Sequence, residues 1–183
     1  MSKQSKNLIM TLFVAGIAIG MLFWNGLHSA VEQTNKLSFC VSCHEMGQVY
    51  EEYKQSPHYK NAAGVRAVCA DCHVPRSFWP KMKRKIEAAN DIYHKIAGSV
   101  DTAEKFETKR LQMAERVWQR MRASDSRECR GCHSFDYMDF HKQKRRAAAK
   151  MQKVVDRQTG ETCIDCHKGI AHKLPEDYDD DDD

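Results

Sequence analysis

Cys40-Val41-Ser42-Cys43-His44 is the first of four sites with one pattern, the others being Cys69-Ala70-Asp71-Cys72-His73, Cys129-Arg130-Gly131-Cys132-His133 and Cys163-Ile164-Asp165-Cys166-His167. Together they use all eight cysteines of the 183-residue chain, and each pair is followed directly by histidine. Cys-x-x-Cys-His is the attachment signature for c-type haem: two thiols form thioethers with the vinyl groups, and the adjacent imidazole is placed under the iron. Disulfides or four-cysteine zinc sites would use the cysteines too, but neither needs a histidine in the fifth position. With nine histidines in the chain, the odds of one following all four pairs by chance are below about one in a hundred thousand. Charged residues make up 30% of the sequence and its average hydropathy is low, so aliphatic side chains are scarce for a conventional core. Four macrocycles are expected to take their place, which makes folding depend on haem attachment.

Outward from these motifs, the first thirty residues carry a second signal. Leu8 to Trp24 reads LIMTLFVAGIAIGMLFW without a charge, and extension to Leu27 gives about the twenty residues that a helix needs to cross a bilayer. Lys3 and Lys6 precede it, which favours a cytoplasmic N-terminus with the remainder on the far side. His28-Ser29-Ala30 is a poor cleavage site, so an uncleaved anchor is expected rather than a signal peptide. Gly16 and Gly20 form a Gly-x-x-x-Gly pair compatible with a homodimer, although small residues are common in membrane spans.

The net charge of +4 conceals an asymmetry. Glu176, Asp177 and Asp179 to Asp183 carry seven negative charges, leaving +11 elsewhere. Haem propionates account for part of that surplus, so it is no nucleic-acid signal. The motifs fall in two pairs separated by a longer motif-free stretch, which suggests two tandem dihaem units. The expected organisation is a cytoplasmic stub and transmembrane anchor (1–30), dihaem unit 1 (31–100), a linker helix with dihaem unit 2 (101–175) and an acidic disordered tail (176–183). Helices are expected from about Pro80 to Ala97, from Asp101-Thr102-Ala103-Glu104 through Met121, and from about Tyr137 to Val155. No run alternates in the manner of a strand. The fold class is therefore mainly α with long loops: an N-terminal transmembrane helix plus a multihaem domain.

The histidines outside the motifs are His28, His58, His94, His141 and His172. His58 lies eleven residues before Cys69, whereas the residue eleven before Cys163 is Gln152, so the second unit lacks the histidine that the repeat would predict. His172 is only five residues beyond His167, too close to serve that haem's far side easily. His28 and His94 read as surface or membrane-edge residues.

Several segments resemble the NapC/NirT family of membrane-anchored quinol dehydrogenases. They are the N-terminal span, Cys40-Val-Ser-Cys-His-Glu-Met46, Ser56-Pro57-His58-Tyr59, Cys72-His73-Val74-Pro75 and Cys163-Ile-Asp-Cys-His-Lys-Gly-Ile-Ala-His172-Lys-Leu-Pro175. The match runs from the anchor to Pro175. It implies a single-pass protein of the bacterial inner membrane, its haem domain periplasmic, that oxidises membrane quinol and passes electrons to a periplasmic nitrate- or nitrite-type reductase. In related NrfH-type anchors the methionine matching Met46 can ligate haem 1, an acid matching Asp91 lies near that haem, and a basic residue matching Arg84 or Lys85 precedes it. By the same resemblance His172 is the distal ligand of haem 3 and His58 that of haem 4. Nitrate-type members commonly carry histidine where this chain has Arg76 and Gln152. That leaves the distal partner of haem 2 open among His141, Gln152, a partner's side chain and none. Because Cys40 follows the span closely, haem 1 is expected at the lipid boundary, with Asp91 as proton acceptor. Lys81 to Lys85 reads equally as a surface facing lipid headgroups. Two alternatives are a terminal reductase with an open catalytic haem and a passive electron store. The reductase reading lacks the Cys-x-x-Cys-Lys motif usual in nitrite reductases of this type.

Overall fold

The structure is a computed structural model that describes residues 2–179. It begins with α1 (Lys3–Gln33), a helix whose apolar window has a mean hydropathy of 2.0 and is wholly exposed. Ser2 caps it by accepting from Ser5 N, and the helix continues past Leu27 to close at Thr34. It is long and apolar enough to cross a membrane. The rest is short helices and turns: α2 (Leu37–Cys40), α3 (Gly47–Lys54), α4 (Cys69–His73), α5 (Phe78–Glu87), α6 (Ala89–Ile96), α7 (Ala103–Thr108), α8 (Arg110–Ala123), α9 (Arg127–Arg130), α10 (Arg145–Val155) and α11 (Cys163–Cys166). No strand occurs among the described residues.

Two of the Cys-x-x-Cys-His motifs are themselves single helical turns, and their sequences show why. In α4 and α11 the residue before the second cysteine is aspartate. Asp71 reaches back to accept from Val68 N at 2.8 Å, and Asp165 accepts from Thr162 N at 2.7 Å. Each carboxylate satisfies an amide that the start of a helix leaves unpaired. A helical turn also sets positions i, i+3 and i+4 on one face, which gathers both thiols and the imidazole on one side.

The expected helices are all shorter or broken. The one from about Pro80 to Ala97 is split into α5 and α6, because the Ala88 carbonyl is taken by Asp91 N in a tighter three-residue turn. Thr102 caps α7 as its sequence suggests, accepting from Lys105 N, but the ladder breaks at Lys109 (φ −105°) before α8. The helix expected from Tyr137 starts only at Arg145. Ser134 and Asp139 accept from Asp136 N and His141 N and trap residues 135–137 and 140–142 in 3₁₀ turns. The acidic tail is in part docked: Tyr178 stands edge-on to Trp118 at 5.1 Å and takes Lys168 Nζ on its hydroxyl at 2.8 Å. Asp180 to Asp183 lie outside the described residues.

The polypeptide buries few apolar side chains: Tyr53, Phe106, Val154 and Ile164 among the described residues. Polar clasps hold the helices together. Arg110, buried in α8, bonds Glu52 of α3 at 2.6 Å, Glu107 of α7 at 3.0 Å and the Lys173 carbonyl at 2.8 Å.

Candidate functional site

The four motifs touch in numerical order. The thiol of Cys40 faces that of Cys69, which joins the first to the second, and this neighbour more than offsets burial to hold Cys40 below its ordinary value. Arg76, three residues past His73, reaches Asp71 Oδ1 and the Gly131 carbonyl at 3.5 Å and Cys132 Sγ at 3.6 Å, joining the second to the third. Ser126, which has no exposed surface, joins the third to the fourth: its hydroxyl accepts from Thr162 Oγ1 at 2.8 Å and from Ile164 N at 3.1 Å. Asp125 and Ser126 both have positive φ (53° and 47°), a strained pair of non-glycine residues that turns the chain sharply into α9. Arg122 of α8 and Asp165 of α11, 2.5 Å apart, brace the same junction.

Two histidines from outside the motifs face motif histidines. The rings of His73 and His172 are 6.2 Å apart between centroids, as are those of His58 and His133. Two imidazoles ligating one iron from opposite sides, with metal–nitrogen bonds of about 2 Å, would have centroids roughly 6 Å apart. Other details fit the same group. Burial holds His73 down to about 4 and His172 below its ordinary value, which keeps both neutral, the form that binds a metal. His172 Nδ1 lies 3.2 Å from the Val49 carbonyl; donation there leaves Nε2 free to ligate, a common arrangement for metal-bound histidine. His58 Nδ1 is buried with no hydrogen-bond partner among the described residues. The resemblance assigned His172 to haem 3 and His58 to haem 4; in the structure the ring of His172 stands against His73 of motif 2 and that of His58 against His133 of motif 3. Gly169 (φ +75°) makes the tight turn that sends His172 back, and a Cβ there would meet Leu174 Cγ at 3.0 Å.

Around motif 1 the groups are charged. His44 is largely exposed, 3.6 Å from the buried carboxylate of Glu45, which also bonds Lys95 at 3.2 Å. The structure pairs Asp91 with Arg84 at 3.2 Å and holds Lys85 Nζ on Thr34, at 2.8 Å from its hydroxyl. Met46 is partly exposed beside this cluster's start, and His167, Gln152 and His141 are exposed. His94 bonds Ser99 at 2.8 Å, and His28 lines a slot of about 170 Å³ between α1 and α5 with Trp24, Glu32, Phe78 and Lys81. Glu45 and Glu32 were missed as candidates from the sequence: a lone charged residue beside a span or a motif carries no spacing signal until the fold pairs it.

The profile of the NapC/NirT cytochrome c family, N-terminal region, matches residues 2–177. The chain belongs to that family. It is 56% identical over 166 residues to the denitrification system component NirT of Stutzerimonas stutzeri, covering 90% of this chain and 82% of that one. It is 52% identical over 167 residues to the cytochrome c-type protein NapC of Escherichia coli K12, covering 91% and 82%. The cytochrome c-type protein TorC of the same organism is 51% identical over 169 residues, which are 92% of this chain but 43% of TorC. No solved structure matches. This member of the NapC/NirT family is thus a c-type cytochrome, and its one long apolar helix fits a membrane anchor.

Proposed function

We propose that the chain is a quinol-oxidising tetrahaem cytochrome, anchored once in the bacterial inner membrane, that delivers electrons to a periplasmic reductase. The observation that carries this reading is the order of motif contacts, first to second to third to fourth, which starts at Cys40, seven residues past the end of α1. Relatives named as a denitrification component and as NapC support a reductase of the nitrate or nitrite type as partner.

In this reading Cys40 and Cys43, Cys69 and Cys72, Cys129 and Cys132, and Cys163 and Cys166 would each hold a haem through thioethers, and His44, His73, His133 and His167 would ligate the irons. When bound, these groups supply reversible one-electron exchange. His172 completes the second site and His58 the third, so a missing internal imidazole belongs to the fourth site rather than the second. Met46 serves the first. Residues 31–100 and 101–175 form the two dihaem units, and Gly16 with Gly20 offers a homodimer contact.

Quinol oxidation releases two electrons and two protons, so a proton acceptor must stand beside the first site. Asp91 takes that role, with Arg84 paired to it at 3.2 Å, and Lys85, fixed on Thr34, directs a quinone oxygen. The slot between α1 and α5 gives a lipid-soluble ring a path to this basic face. The test is stopped-flow reduction of the purified protein in detergent by a quinol analogue. Asp91→Asn should slow reduction at least about tenfold with all four haems attached, since general acid–base groups contribute about 10²–10⁴, and Met46→Ala should slow it by changing a ligand of the first site. Unchanged kinetics in both would remove the site, and nitrite turnover by the isolated chain would favour a terminal reductase instead.

A further inference from the structure

The end of the membrane helix is not alone at the bilayer boundary. Trp24 of α1 lies 5.5 Å from Phe78, the first residue of α5, and Phe78 stands edge-on to Trp79 at 5.1 Å. Further along, Lys81 bonds Glu32 at 2.8 Å and Lys85 bonds Thr34. These contacts advance in the same direction on both helices, so α5 runs beside the last turns of α1 and its first turn is level with Trp24. At 1.5 Å per residue, Leu8 to Leu27 spans about 30 Å, the thickness of the hydrocarbon layer. Trp24 is then within about 5 Å of its edge, and Phe78 and Trp79 share that depth.

Trp79 is 79% exposed, and its ring is amphipathic, an apolar body with an N–H donor, the kind enriched at membrane interfaces. One turn above it on the same face is Lys83, also 80% exposed at its side chain, with only a 3.9 Å contact to Glu87. A tryptophan below and a lysine above is the order of an interfacial anchor: the ring sits at the acyl–headgroup boundary and the ammonium extends to phosphate. Lys81 is engaged by Glu32 of α1, Lys85 by Thr34 at the end of that helix and Arg84 by Asp91 of α6, whereas the contact recorded for Lys83 is to its own helix.

We propose that the first turn of α5 is a second membrane contact, in which Trp79 inserts into the lipid interface and Lys83 meets anionic headgroups. It rests on α1 spanning the bilayer but not on quinol being the substrate. A single helix leaves the attached domain free to swivel about its axis; a second interfacial anchor sets tilt and rotation, and so fixes which face the domain turns to the lipid.

The test is photo-crosslinking of the full-length holoprotein in its own membrane, with p-benzoylphenylalanine placed at one position at a time. Phe23, 71% exposed within the span, is the lipid-facing comparison, and Tyr137, 91% exposed beside the third motif, the water-facing one. Haem absorbance of each variant confirms folding. Mass spectrometry should find phospholipid adducts at position 79 at a yield within about threefold of position 23 and at least tenfold above position 137. Cross-links from 79 to a second polypeptide, or no lipid at 79 while 23 is labelled, would overturn the proposal. No lipid at either position would remove the anchor and the second contact together.

Discussion

His172 depends on one glycine for its position. Gly169 adopts φ +75°, and a side chain there meets both backbone strain and Leu174. Gly169→Ala should therefore cost about 1–2 kcal/mol from the backbone alone and loosen the His172–His73 pair, read as a lower Tm and a rise in high-spin absorbance. His172→Ala should leave four haems attached by mass while converting one from low to high spin. His58→Ala should do the same, and the double variant should convert two. Were His172 and His58 merely packing residues, the spin count would not change.

Between elements, the clasp of α3, α8 and the C-terminal segment is one buried carboxylate shared by Arg110 and the Lys173 amide. Burial alone would raise the Glu52 carboxyl, but the Arg110 side chain and that amide more than offset it and hold it below its ordinary value. A carboxylate depressed in the folded state stabilises fully above its unfolded value of about 4.3, and that contribution is lost as pH falls through the lower folded value. Thermal unfolding followed from pH 7 to 3 should thus show an acid loss of Tm that Glu52→Gln flattens. Arg110→Met strands the carboxylate and should cost about 3–5 kcal/mol, much of it recovered when Glu52→Gln is added.

For the whole molecule, the prediction concerns the link between anchor and domain. Replacing residues 2–33 with a cleavable export signal should give a protein that keeps all four haems and is reduced normally by dithionite. Its reduction by quinol held in liposomes should fall at least about tenfold, because the substrate partitions into the lipid and the site no longer stays beside it. Equal rates for the anchored and the released protein would show that the anchor does not serve quinol access.

Haem chemistry, the anchor and the all-helical class were legible in the sequence because each is written in contiguous residues. Thioether attachment needs two thiols and an imidazole within five positions, and a membrane span needs an uninterrupted apolar run. Helix boundaries were less legible, since Ala88, Lys109, Ser134 and Asp139 end or delay helices through local hydrogen bonds that periodicity does not register. The histidine pairing was decided by tertiary structure alone. The family resemblance gave His172 to haem 3 and His58 to haem 4, whereas in the structure His58 of the first half faces His133 of the second, and His172 of the second faces His73 of the first. A ligand for the far side of a flat macrocycle must come from chain that lies across it, and only the packing of one half on the other determines which chain that is.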